Sequence, residues 1–93
     1  MQERDDRTSP TYRYLLSHAQ GLYIHAGRPQ DANATVEKTL SVLKMTDANN
    51  NEALSGALHN QSVALSQMGE MRAALSRERE SLALTSGNEE EPV

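Results

Sequence analysis

Apolar residues return along this chain at three- and four-residue steps, the period of one face of a helix. Tyr12, Leu15, Leu16, Ala19, Leu22, Tyr23 and Ala26 form the first such stripe. Ser9-Pro10 predicts its start, because Ser caps free N–H groups and Pro loses nothing where no donor is needed. Gly27 predicts its end, since a left-handed terminal residue costs least without a side chain. Pro29 opens a second helix, with Asp31 near its positive end and Ala32, Val36, Leu40 and Leu43 inward, up to about Met45. The run from Thr46 to Asn51 is rich in turn and capping residues and reads as a loop. A third helix follows from about Glu52, with Ala53, Leu54, Ala57, Leu58, Leu65 and Met68 apolar, until Gly69 breaks it. A fourth carries Met71, Ala74, Leu75, Leu82 and Leu84. The pattern predicts an all-α chain of four helices in two antiparallel hairpins.

The two hairpins repeat each other. Leu16 matches Leu58, Tyr23 matches Leu65, Gly27 matches Gly69, Ala32 matches Ala74 and Leu40 matches Leu82, each at an offset of 42. A fixed period in this range marks a stacked helical repeat, one supersecondary unit reused along an axis. Small residues at the crossing of two inner stripes let the backbones approach, a place that suits Ala32 and Ala74; Leu40 and Leu82 would fill the gap towards a next hairpin. The expected organisation is a disordered charged segment over 1–8 and a repeat domain over 9–85, with a disordered acidic tail over 86–93. Within the domain, repeat one covers about 9–46 and repeat two about 51–85.

Gly between paired helices, small Ser62 in a first helix and Ala74-Leu75 early in a second resemble tetratricopeptide repeats. That repeat has a period of about 34 residues. The longer spacing here, with Leu58-His59-Asn60 opening the second unit, is similar to the repeats of kinesin light chains. The likeness runs over roughly 12–85 and departs in the first unit, where Gln20 stands at a small-residue position and Asn33 follows the inner Ala. It implies a short right-handed α-solenoid that binds a protein or peptide partner along the concave surface made by the first helix of each hairpin. The residues it places there are Tyr14, Ser17, His18, Gly21, Ile24 and His25 from the first hairpin, with His59, Asn60, Val63 and Gln67 from the second. Asn60 leads this set, since an amide both donates to and accepts from an extended backbone. Ser17 and Gly21 stand where carboxylate-gripping members carry basic residues, so a carboxylate clamp is not expected.

Composition narrows the classes. The 93 residues make one small domain, with no Phe, Trp or Cys. Disulfides and thiolate metal sites are therefore absent, and Ala, Leu, Met and Val must supply the packing. The formal charge of −4 comes without a basic stripe, which argues against nucleic acid. No apolar run approaches a membrane span and no leader is evident, so a soluble cytoplasmic protein is the expectation.

No nucleophile elbow, phosphate loop or other catalytic motif occurs, and the expectation is a protein that is not an enzyme and needs no cofactor. His18 and His25 share a helix face but lie about 10.5 Å apart along the axis, too far for one metal ion. Arg77, Glu78, Arg79 and Glu80 read as a solvated face with modest pairing. Two repeats are fewer than the three that normally make a stable array. The alternative role is thus a dimerisation or spacer segment of a larger protein, which the repeat resemblance suggests is of the bacterial signalling kind, or a homodimer, in either case through the apolar open end of the stack.

Overall fold

Two glycines set the fold. Gly27 and Gly69 have φ of 74° and 83°, the left-handed region in which a Cβ is strained. Each closes a helix with the same pair of bonds: Gly27 N–H to Ile24 O and Arg28 N–H to Tyr23 O at 3.1 and 2.8 Å, Gly69 N–H to Ser66 O and Glu70 N–H to Leu65 O at 3.0 and 2.8 Å. This is the Schellman arrangement, which satisfies carbonyls the helix leaves open. The residue after each glycine then starts the next helix, as Arg28 O accepts from Ala32 N–H and Glu70 O from Ala74 N–H.

The computed structural model describes residues 10–86. They form four helices: α1 (Pro10–His25), α2 (Pro29–Thr46), α3 (Asn51–Gln67) and α4 (Met71–Ser86). Among the described residues there is no strand. The segments expected to be disordered, 1–8 and 87–93, and the Ser9 cap lie outside the described residues; Ser86, placed in the tail by the sequence reading, ends α4. The α3 start is capped by Asn50, whose side-chain oxygen accepts from Ala53 N–H at 3.0 Å.

Each helix packs on the next in the chain, and α1 also touches α3. Among the described residues no Cα of α4 lies within 8 Å of one in α1 or α2, so the helices do not close into a bundle. The Cα envelope is 52 × 32 × 16 Å and the radius of gyration 14.2 Å, above the roughly 12 Å of a compact chain this long.

The buried apolar set is Leu16, Ala32, Val36, Val42 and Leu43 in the first hairpin, and Ala57, Leu58, Ala64 and Ala74 in the second. Four of these nine are alanines, so polar contacts must decide much of the geometry. Gln20, Thr39, Gln61 and Ser81 are buried with them. Ser55 and Ser81 zip α3 to α4, the Ser55 Oγ donating to Ser81 O at 3.0 Å and the Ser81 Oγ to Ser55 O at 2.9 Å.

The first stripe departs from expectation. Of its members only Leu16 is buried, while Leu15 and Leu22 are more than half exposed. Among the described residues no helix other than α2 and α3 packs on α1. Leu82, expected to fill a gap between hairpins, is likewise exposed on α4.

Candidate functional site

A cleft of about 370 Å³ opens between α1 and α3. Arg13, Tyr14 and Ser17 line its α1 side, and Ala53, Gly56 and Asn60 face them from α3. Thr39 and Leu43 of α2 make the floor, with Gln20 and Ala57 at its edges. Gly56, Ala53 and Ala57 offer little bulk to fill the space between the helices here.

Gln20, 1% exposed, organises the floor. Its Nε2 donates to Thr39 Oγ1 at 2.7 Å, and its Oε1 accepts from Asn60 Nδ2 at 2.7 Å. Both ends of one buried amide thus tie α1 to α2 and to α3. Thr39 in turn donates to Thr35 O at 2.9 Å. Asn60 spends a donor on this link; among the described residues its Oδ1 has no hydrogen-bond partner.

One end of the cleft is clamped by charge. Arg13 Nη1 meets Asp47 Oδ2 at 3.1 Å, and Asn50 Nδ2 donates to the same oxygen at 2.8 Å. The Asn50 hydrogen bond, then the Arg13 bond and charge, hold the Asp47 carboxyl below the usual carboxylate range against a smaller opposing effect of burial. At the far end Gln67 Nε2 approaches Ile24 O at 3.4 Å, a long contact.

The residues placed in the groove by the sequence thus divide. Tyr14, Ser17 and Asn60 come together in the cleft. His18 stacks on the Tyr14 ring at its rim, centroids 5.9 Å apart and planes within 8°. Gly21, Ile24, His25, Val63 and Gln67 lie outside the cleft lining. His59 points the other way, its Nδ1 3.0 Å from Glu78 Oε1 on α4. Among the described residues no three His, Asp or Glu side chains gather as a metal set. No helix among them is long and apolar enough to cross a membrane.

Arg13, Gln20 and Gly56 are cleft residues that the groove assignment missed. Gln20 had a legible signal: it lies four after Leu16 and three before Tyr23, on the buried side of α1. Neither a protein-family model, a curated protein nor a solved structure matches this chain.

Proposed function

We propose that this chain is a protein-interaction module of tetratricopeptide-like build, two hairpins of a short right-handed α-solenoid, that takes an extended peptide in the α1–α3 cleft. The observation that carries the reading is the cleft lining. An aromatic ring (Tyr14) and small apolar side chains stand beside a hydroxyl (Ser17) and the open Asn60 Oδ1. Apolar walls with a few polar groups at fixed places are what an orienting site needs, and an amide oxygen can accept from a peptide N–H whatever the side chain. The repeated helix bounds, the paired Schellman ends and the α1–α3 contact support the solenoid part.

The test is selection of peptides from a random-sequence display library against the immobilised protein, followed by titration of the winners. Ser17→Trp, which fills the cleft, and Tyr14→Ala should each weaken binding by roughly tenfold or more, the loss of about 1.4 kcal/mol or more. His59→Ala, on the α4 side, should leave it unchanged. Equal binding to wild type and Ser17→Trp would place the peptide elsewhere and end this reading.

A further inference from the structure

The two ends of the helix row are apolar, and each is the counterpart of a face already paired inside the molecule. On α3, Ala57, Gln61 and Ala64 recur at four- and three-residue steps and are buried, Ala57 and Gln61 facing the first hairpin. From there Gln61 Nε2 reaches Asn33 Oδ1 and Glu37 Oε2 on α2, at 3.0 and 2.6 Å. Forty-two residues earlier α1 carries Leu15, Ala19 and Leu22 at the same steps. There Leu15 and Leu22 are 55% and 57% exposed.

The other side of this junction has its counterpart too. α2 meets α3 through Asn33, Glu37 and Leu40, whose equivalents on α4 are Leu75, Arg79 and Leu82. Leu75, Leu82 and neighbouring Met71 are all more than half exposed.

A pair of hollows makes the relation concrete. Between the hairpins, Leu54, Glu80 and Leu84 line a groove of about 230 Å³ whose other bank is Glu37, Leu40 and Lys44 of α2. Outside the first hairpin, Tyr12, Lys38 and Val42, the equivalents of Leu54, Glu80 and Leu84, line a hollow of about 340 Å³. Among the described residues it has no such second bank. The two hollows share these three positions, with Ser41 and Met45 completing the outer one, and α4 carries Arg79 and Leu82, the equivalents of Glu37 and Leu40 on the missing bank.

We propose that these faces bind each other between copies of this chain, α4 of one molecule seating on α1 of the next as α2 seats on α3 within the chain. The contact continues an interface the fold already contains. Where the interior junction buries Gln61 between Asn33 and Glu37, the junction between copies holds Ala19 against Leu75 and Arg79. An alanine facing a leucine leaves no buried amide unpaired. Glu37 is exposed at the interior junction, so Arg79, its equivalent, also stays at the solvent edge. Because the two faces differ, the contact is head to tail, and every copy added leaves one face of each kind open. Growth therefore passes beyond a dimer. Leu15 and Leu22 lie on a different side of α1 from Tyr14 and Ser17, so assembly and peptide capture can fail independently.

Sedimentation equilibrium of the full chain, from about 10 μM to about 1 mM, the range of weak interfaces, tests this. The weight-average mass should climb past twice 10.2 kDa without a plateau, and should climb further with added salt, which screens Lys38 from Arg79 as both flank the contact. Leu15→Glu and Leu75→Glu should each stay monomeric alone, yet an equimolar mixture should form one-to-one dimers and stop, since one intact face of each kind remains. Far-UV helicity is followed throughout, and Leu22→Lys with Met71→Lys repeats the design if either glutamate variant loses helix. A wild type that stays monomeric over the whole range overturns the proposal. So does a dimer plateau that Leu75→Glu removes and Leu15→Glu leaves, which would mean α4 packing on α4, or an assembly that added salt dissolves.

Discussion

Gln20 and Gln61 are both buried amides, and they differ in what burial costs them. Gln20 uses both ends of its amide, towards Thr39 and Asn60. Gln61 gives its nitrogen to Asn33 and Glu37, while its Oε1 is buried with no hydrogen-bond partner among the described residues. A satisfied buried amide contributes about 0.5–1.5 kcal/mol per bond, and an orphaned oxygen costs about 1–3 kcal/mol. Gln20→Leu should therefore lower stability by about 1–2 kcal/mol. Gln61→Leu should fall within about 1 kcal/mol of wild type, because removing the orphan offsets the lost bonds and half-exposed Asn33 and exposed Glu37 can turn to water. Urea unfolding of both variants decides it, and a larger loss at Gln61 than at Gln20 would contradict the account. Residues of this kind are poorly legible in a sequence. Gln20 reads as a departure from a small-residue pattern, and only its place among Leu16 and Tyr23 hints that it is buried. Asn60 reads as a groove donor, yet one of its donors is held inside the molecule, a fact that needs Gln20 in three dimensions.

Helices and their ends are far more legible, because their causes are local. Gly27, Pro29, Asn50 and Gly69 each act within a few residues, and the observed bounds fall within a residue or two of those the pattern predicts. Which stripe is buried is not local, and there α1 misleads: Leu15 and Leu22 have the helical period but stay more than half exposed. The glycines offer a test of opposite signs. At Gly69 an added Cβ would meet no atom within 4 Å, so the cost of Gly69→Ala is that of the left-handed backbone alone, about 1–2 kcal/mol. Gly56 sits inside α3 with equally open surroundings and no positive φ. Gly56→Ala should stabilise by about 0.5–1 kcal/mol, through helix propensity and a less free unfolded chain. Thermal melts of the two single variants should move in opposite directions; a shift of the same sign in both would mean that the Schellman geometry at Gly69 does not hold α3 in place.

At the scale of the whole molecule the two hairpins are held differently inside and between. Within each, small apolar side chains and hydroxyls close the pair. Between them the links are largely polar: Gln61 to Asn33 and Glu37, Asn60 to Gln20, and Arg13 through Asp47 to Asn50. The 42-residue repeat made the hairpins predictable but not this junction, since its residues have no repeating equivalents: Arg13 corresponds to Ser55 and Gln20 to Ser62. The Asp47 clamp makes the junction sensitive to acid, and the sign follows from its depressed pKa. A carboxyl held below its unfolded value of 3.8 contributes stability that is fully present above that value and is lost as pH falls through the folded one. Asp47→Asn should therefore be less stable than wild type at neutral pH, with a constant gap down to about pH 5 that narrows below about pH 4. Because Asp47 is solvent-accessible, screening keeps the gap small, so the trend with pH and not its size is the signature. Urea midpoints of both proteins from neutral pH to about pH 2.5, at concentrations low enough to suppress association, measure it. A gap that stays constant to the acid end would show that ionisation of Asp47 adds nothing to the junction, and that the variant is weaker for a reason other than the lost charge.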